Sequence, residues 1–253
     1  MTTGLFHTRV ALVTGAGSGI GRGIAERLSR DGAHVILYGR TETKLQETAS
    51  RLAGPATIFA GDVSSEDDNN RCARVVTEQH GCLDILVNNA ADYFRKPVEE
   101  LSRDELRGMY EVNLFGAVDL TRRLLPLLRE SKPSGCVINI ASTAALIPNA
   151  MSFAYATSKA ALVHGTGTMA AEWGPQVRVN CIAPGFVDTP IHRNRGLSED
   201  QVREFLDSLG EQHPMRRVGM PEDIAGAVAF LTSPDAEWVT GSTLVIDGGY
   251  NVR

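Results

Sequence analysis

The sequence predicts an α/β protein in which helices cover both faces of a parallel sheet. Short apolar segments rich in β-branched residues alternate with helical patterns along all 253 residues, which is typical of parallel strands joined by crossover helices. No internal repeat, low-complexity tract or linker rich in proline and glycine interrupts the series. We therefore expect a single domain, since this length suits one large α/β unit with a well-packed core.

Seven segments have the composition of strands buried on both faces. Each is short, apolar and bounded by turn residues. In chain order they span residues 10–14, 34–39, 56–60, 84–89, 136–142, 177–183 and 243–247. Seven such strands suit a doubly wound sheet.

Charge and cysteine content narrow the class of protein. Lysine and arginine total 25 and aspartate and glutamate total 30, so the net charge is −5 and its groups are scattered; we expect no nucleic-acid or membrane partner. The chain starts without a secretion signal, and no apolar run reaches the ~18 residues of a membrane span. Cys72, Cys82, Cys136 and Cys181 lack C-x-x-C spacing. They are interpreted as reduced thiols of a cytoplasmic protein that binds no metal.

A glycine-rich segment, Thr14-Gly15-Ala16-Gly17-Ser18-Gly19-Ile20-Gly21, separates the first strand from its helix. It matches T-G-x-x-x-G-x-G and not the strict G-x-G-x-x-G pattern. Glycines here bring backbone N–H groups close to a pyrophosphate and let the helix lie close to the sheet. The alternative is an ordinary glycine-rich turn. The strand and helix context favours a Rossmann-type dinucleotide site, with contacts from Gly15, Ser18, Gly19, Ile20 and Gly21.

The end of the second strand indicates which dinucleotide binds. Arg40 and Thr41 stand where an acidic residue would select the ribose 2′-hydroxyl. A guanidinium can hold a 2′-phosphate and a hydroxyl can add a donor, so NADP(H) is favoured over NAD(H). Alternatively, Arg40 is a solvated loop residue paired with Glu42 or Glu47.

Two further strand ends carry candidate cofactor contacts. Asp62 and Val63 follow the third strand, where a carboxylate can accept from the adenine amino group or cap a helix starting near Ser64. The run 88–91, Asn-Asn-Ala-Ala, closes the fourth strand at the carboxyl edge, where open α/β sheets bind ligands. Asn89 is expected to tie strand ends together, and the small Ala90 leaves room for adenosine.

The stretch from Tyr155 to Trp173 predicts a helix that places Tyr155 and Lys159 one turn apart on one face. An ammonium there would stabilise the phenolate and lower the pKa of Tyr155. The alternative is an ordinary amphipathic helix. Ser142, at the end of the fifth strand, is either a turn residue or a hydroxyl that steadies a substrate oxygen.

A capping-box pattern, Ser102-Arg103-Asp104-Glu105, predicts the start of a long helical segment toward Leu128. Asn113 lies within it among apolar neighbours. Its amide either holds a water molecule or simply satisfies hydrogen bonds in the core.

Together these motifs closely resemble the short-chain dehydrogenase/reductase family along almost the entire chain. The resemblance is nearest to bacterial ketoreductases related to 3-oxoacyl-carrier-protein reductase. It is carried by Thr14-Gly15, Gly19, Gly21, Asp62-Val63, Asn88-Asn89-Ala90, Asn113, Ser142, Tyr155, Lys159 and Pro184-Gly185. The family usually has glycine where this chain has Ala91, whose methyl group would crowd the cofactor or the substrate.

The resemblance implies a role for each matching position. Tyr155 would be the general acid in reduction and the base in oxidation, and Lys159 would lower its pKa and bind the nicotinamide ribose. Ser142 would orient the carbonyl, and Asn113 would hold a water for proton relay. The nicotinamide would be held by Pro184, Gly185, Val187 and Thr189. Residues 188–218 would form a substrate lid, and the last strand would lie near the interface of a homotetramer.

We therefore expect an NADP(H)-dependent ketone reductase or secondary-alcohol dehydrogenase acting on a small molecule. Three alternatives remain open. The enzyme could use NAD(H), the fold could serve a dinucleotide-binding sensor without chemistry, or the scaffold could carry a lyase or epimerase. The chain keeps the glycine-rich segment, which argues against the last of these.

Overall fold

A computed structural model describes residues 4–190 and 198–252 and contains a sheet of seven parallel strands. The strands are β1 Val10–Thr14, β2 His34–Gly39, β3 Ala56–Ala60, β4 Ile85–Asn88, β5 Gly135–Ile140, β6 Val177–Pro184 and β7 Thr243–Ile246. Their order across the sheet is β3-β2-β1-β4-β5-β6-β7. The predicted doubly wound Rossmann fold is confirmed.

Helices cover both faces of the sheet. They are α1 Gly19–Arg30, α2 Glu42–Ala49, α3 Glu66–His80, α4 Arg103–Tyr110, α5 Gly116–Glu130, α6 Phe153–Trp173, α7 Glu199–Glu211 and α8 Pro221–Thr232. Val13 of β1 lies in the core below α1 and α8, with Ile24 and Val228. The adjacent residue, Leu12, lies in the opposite core with Leu124 of α5. Successive side chains point to opposite faces, and both faces are apolar because both are covered.

Strand ends differ from the predicted ones by one or two residues. The fourth strand loses Asp84 and Asn89 because their side chains bind the backbone of β1. Asp84 Oδ2 accepts from Val10 N at 2.8 Å, and Asn89 Nδ2 donates to Thr14 O at 2.8 Å. The fifth strand ends at Ile140, and the last ends at Ile246.

The helical segment opened by Ser102 is confirmed, but it contains an irregular turn. The capping box is complete, since Ser102 Oγ accepts from Glu105 N and the Glu105 carboxylate accepts from Ser102 N. Between α4 and α5 the residues Glu111–Phe115 form a π-helical turn that carries Asn113. Such single turns occur frequently at functional sites.

The strand order reverses between β1 and β4, because β1 leads to β2 on one side while β4 leads to β5 on the other. Open α/β sheets bind ligands in the crevice outside the carboxyl ends of strands at such a point. Within the ranges 4–190 and 198–252, no helix is both long and apolar enough to cross a membrane.

Candidate active site

A cavity of about 610 Å³ opens at the carboxyl ends of the strands. It brings together nearly all the predicted site residues, which come from seven separate segments of the chain. Those lining it are Gly15, Ser18, Gly19, Ile20, Arg40, Thr41, Asp62, Val63, Asn89, Ala90, Ser142, Tyr155, Lys159, Pro184, Gly185, Val187 and Thr189. Gly21 and Asn113 do not line it; both lie behind its wall.

The glycine-rich segment forms a cradle that only glycine permits. Gly15 and Gly19 have φ of +65° and +51°, a region that side chains disfavour. A Cβ on Gly15 would lie 2.8 Å from Asn89 Nδ2. A Cβ on Gly21 would lie 2.3 Å from Gly15 O, so Gly21 allows α1 to approach the loop and does not itself face the cavity. Arg22 Nη2 braces the loop by donating to Gly17 O at 2.6 Å.

Hydrogen bonds between β1 and β4 fix the floor of the cavity. Thr14 Oγ1 accepts from the N–H groups of Asn89 and Ala90, both at 2.9 Å. The tie between strand ends expected of Asn89 is therefore present. Ala91 also lines the cavity, so its methyl group belongs to the surface that a ligand meets.

The end of the cavity next to β2 is basic. The suggested pairing of Arg40 with Glu42 or Glu47 is wrong, because Glu47 pairs with Arg22 at 3.2 Å and Glu42 accepts from a neighbouring amide. Thr41 is the N-cap residue of α2, but its hydroxyl makes no capping bond. Lys44, one turn into α2, also lines this end and was not identified from the sequence.

Asp62 faces the cavity at the end of β3. Its Oδ1 accepts from Ser64 N at 2.9 Å and from Ser64 Oγ at 2.8 Å. The N-cap of α3 is Ser65, which accepts from Asp68 N. The helix-capping alternative for Asp62 is therefore wrong in detail, since Asp62 stabilises only the turn before the helix.

Tyr155 and Lys159 lie one turn apart on α6, and both line the cavity. The helix begins two residues earlier than predicted and ends at Trp173 as predicted. The Ser142 hydroxyl is close enough to the Tyr155 phenol to act on its pKa. Lys159 is only 1% exposed, and its Nζ donates to Ile140 O at 2.8 Å.

Burial shifts both ionisable groups toward their neutral forms. It raises the pKa of Tyr155 to about 12, although the Ser142 hydroxyl acts in the opposite direction. It lowers the pKa of Lys159 to about 8. The prediction that Lys159 lowers the pKa of Tyr155 is therefore wrong. The pKa is raised, because burial outweighs the other influences on the phenol.

Asn113 is buried and its amide is fully engaged by protein groups. Asn113 Oδ1 accepts from Asp92 N at 2.8 Å, and Nδ2 donates to Asp92 O and to Ser158 Oγ, both at 3.1 Å. These contacts match the core-satisfaction alternative. They hold the backbone next to Tyr93, whose ring packs edge-on against Tyr155 with centroids 4.9 Å apart.

Several lining residues were not identified from the sequence. Tyr93, Phe186, Tyr250 and Asn251 complete the wall around Tyr155. The only sequence signal is their position after motifs, as with Phe186 after Pro184-Gly185. The predicted lid at 188–218 falls partly outside the described residues. The part outside is 191–197, which includes His192, Arg193 and Arg195. The described part of the lid contains α7, and no group of metal-ligating side chains occurs within the described ranges.

The cavity fits a nicotinamide dinucleotide, because it has a glycine cradle at the start of a helix and a basic end where the adenosine ribose would lie. The tyrosine beside a lysine fits a reacting oxygen. The fold and this cavity define an NAD(P)-dependent oxidoreductase. A family model described as Enoyl-(Acyl carrier protein) reductase matches residues 15–251. The chain belongs to the short-chain dehydrogenase/reductase family.

Similar proteins cover nearly the whole chain. The human protein "Dehydrogenase/reductase SDR family member 4" is 36% identical over 246 residues, which is 95% of this chain and 87% of the human protein. "Glucose 1-dehydrogenase" of Gluconobacter oxydans is 34% identical over 96% of this chain and 92% of its own length. The solved aldohexose dehydrogenase of Thermoplasma acidophilum has a TM-score of 0.90 and 32% identity, covering 98% of this chain and 96% of that structure.

Proposed function

We propose that the protein reduces a ketone with NADPH, or oxidises the corresponding secondary alcohol with NADP⁺, using Tyr155 as the general acid or base. The observation that carries the proposal is that one cavity joins the glycine cradle to Tyr155 and Ser142. NADPH, when bound, supplies the hydride and leaves as NADP⁺.

The proposed proton transfer follows from the state of the phenol. A pKa near 12 keeps Tyr155 protonated at neutral pH, as a proton donor for reduction must be. Ser142, beside the phenol in the cavity lining, would donate to the same substrate oxygen. Lys159 would hold the nicotinamide ribose, and Asn113 would support the loop at Asp92.

Replacement of the phenol tests this assignment. Tyr155→Phe removes only the hydroxyl, so NADPH binding should persist while kcat falls by roughly 10²- to 10⁴-fold. Tyr110→Phe is the matched control, because Tyr110 lies in α4 and does not line the cavity. Full turnover by Tyr155→Phe would reject the proposal. Cofactor binding by the wild type without turnover on a broad ketone and alcohol panel would favour a sensor.

We propose NADP(H) over NAD(H) because Arg40, Thr41 and Lys44 present two cations and a hydroxyl that makes no capping bond. Charge-assisted bonds to a phosphate are strong, so Arg40→Ala should lower kcat/KM for NADPH by roughly ten- to hundredfold while NADH is little affected. Arg30→Ala, an exposed change at the far end of α1, is the control. Equal use of NADPH and NADH by the wild type would support the NAD-dependent alternative.

We further propose a homotetramer in the cytoplasm. The edge strand β7 and the segments beside it expose apolar side chains, with Trp238 at 99%, Phe230 at 48% and Val245 at 38%. Large apolar side chains exposed near one edge of the sheet support self-association there. The cytoplasmic location is supported by the four cysteines, none of which is in a disulfide.

A further inference from the structure

The part of the cavity beyond Tyr155 is walled by aromatic and aliphatic side chains. Tyr93 stands perpendicular to Tyr155, at an interplanar angle of 85°. Phe186 and Tyr250 form a second aromatic pair, with centroids 5.4 Å apart. Ile147 and Pro148 complete this apolar wall. We call these five side chains, with Tyr155 and Ser142 at their inner end, the substrate wall.

The substrate wall carries no free charge among the described residues. The charged side chains that line the whole cavity are Arg40, Lys44, Asp62 and Lys159. The first three lie where the adenosine is expected, and the ammonium of Lys159, which donates to Ile140 O, is proposed to hold the nicotinamide ribose. A carboxylate or phosphate placed against the substrate wall would therefore lose water without gaining a counter-ion.

The basic residues of the adjoining loop are engaged elsewhere. Arg95 Nη2 donates to Ala150 O at 3.2 Å. Lys96 Nζ donates to both carboxylate oxygens of Glu105, at 2.8 and 2.9 Å. Neither cation lines the cavity, although Ala150, whose carbonyl accepts from Arg95, does.

Several hydrogen-bonding groups beside the wall are also committed. Ser152 Oγ donates to Asn149 O at 2.6 Å, so its hydrogen is already used. Ser142 and Tyr155 are reserved for one reacting oxygen. The hydroxyls of Tyr93, Thr143 and Tyr250 and the amides of Asn149 and Asn251 also line the cavity, whereas each hydroxyl of a bound sugar needs a partner beside side chains that are mostly aromatic or aliphatic.

We infer that the substrate class is neutral ketones with an aromatic or bulky apolar substituent, together with their alcohols, and that Tyr93, Ile147, Phe186 and Tyr250 determine this specificity. The inference rests on the proposed function, because it concerns the same site. It separates the chain from the glucose and aldohexose dehydrogenases that it resembles, since aldoses and ionised carbonyl compounds would be poor substrates.

A matched set of ketones tests the inference. Acetophenone, 4-acetylbenzoate and methyl 4-acetylbenzoate share the reacting group, but only the second is ionised at pH 7. We expect both neutral ketones to exceed the carboxylate by roughly tenfold or more in kcat/KM. Glucose with NADP⁺ should give still lower turnover. A carboxylate or a sugar used as well as the neutral ketones would overturn the inference.

A gain-of-function variant sharpens the test. Ile147→Arg places a cation on the substrate wall and should raise kcat/KM for 4-acetylbenzoate, relative to its methyl ester, by roughly tenfold. Leu146→Arg is the matched control. Leu146 is 42% exposed and Ile147 is 41% exposed, but Leu146 does not line the cavity. An equal effect of both variants would contradict the assignment of Ile147 to the wall.

Ligand-observed NMR on the cofactor-free protein separates the two proposals. If no ketone is turned over but acetophenone and the methyl ester bind in preference to the carboxylate, the proposed function fails, and only the preference of the wall for neutral apolar ligands is retained. If ketones are turned over without regard to charge, the proposed function stands and the inference fails. Absence of preferential binding by the neutral pair overturns the inference in either case.

Discussion

Tyr155 and Lys159 are displaced from their ordinary pKa values in opposite directions, yet for one reason. Lys159 is fully buried and Tyr155 half-buried, and burial disfavours whichever form of a group is charged. The residue pair therefore holds a neutral phenol next to an amine that loses its proton easily. A neutral phenol suits proton donation to a carbonyl oxygen at neutral pH.

Lys159 should make stability depend on alkaline pH. Its pKa is 10.5 in the unfolded chain and about 8 in the folded protein, so between these values the unfolded state binds more protons. Stability contributed by this residue then rises with pH. When the pH rises from 7.5 to 10.5, the unfolding free energy of wild type should increase by about 3 kcal/mol relative to that of Lys159→Met. Urea titrations of both proteins measure it, and a pH-independent difference would contradict the lowered pKa.

Gly21 should be intolerant of a single methyl group. Gly21→Ala puts Cβ 2.3 Å from Gly15 O and 2.5 Å from Asn89 Nδ2, so the loop must move. We expect a lower melting temperature and weaker NADPH binding, measured by thermal denaturation and fluorescence titration. Gly108→Ala is the control, because a Cβ there meets nothing within 4 Å and alanine favours the helix by up to about 1 kcal/mol. Equal behaviour of the two variants would show that the cradle is not tight.

At the scale of elements, the π-helical turn between α4 and α5 meets the site through Val112, which lines the cavity, and supports it through Asn113. Asn113→Ala would leave the Asp92 backbone and the Ser158 hydroxyl without that partner, at a cost of about 1–3 kcal/mol in unfolding free energy. Urea denaturation should show this loss, and kcat should fall because Tyr93 loses its support. Gln46→Ala, which removes one exposed contact with Glu42, should change neither.

Local sequence patterns predicted most of the helices and strands. The features that these patterns did not predict depend on contacts between residues distant in the sequence. The glycine cradle and the Tyr155–Lys159 spacing depend on neighbours in the chain, and they were found. Lys44 and Tyr250 reach the cavity only because distant segments meet there. The pKa of Tyr155 was predicted in the wrong direction because burial cannot be counted along a sequence. Asn113 was left between two alternatives for the same reason, since its partners lie 21 and 45 residues away.

At the scale of the whole molecule, the two sheet edges differ in their exposed apolar surface. If the patch around Trp238 forms a subunit contact, Trp238→Glu should lower the assembled mass from about four times the 27.2 kDa of one chain. Light scattering after size-exclusion chromatography measures the mass. Ile58→Glu introduces the same charge on β3 at the opposite edge and should leave it unchanged. A wild-type mass of one chain would contradict the tetramer.

Tyr250 and Asn251 complete the cavity only four residues after the last strand, whereas the cradle is formed within the first hundred residues. On the ribosome the two halves of the site therefore emerge in a fixed order. The nascent chain exposes the glycine cradle first, and the substrate wall is complete only when Tyr250 has followed the seventh strand.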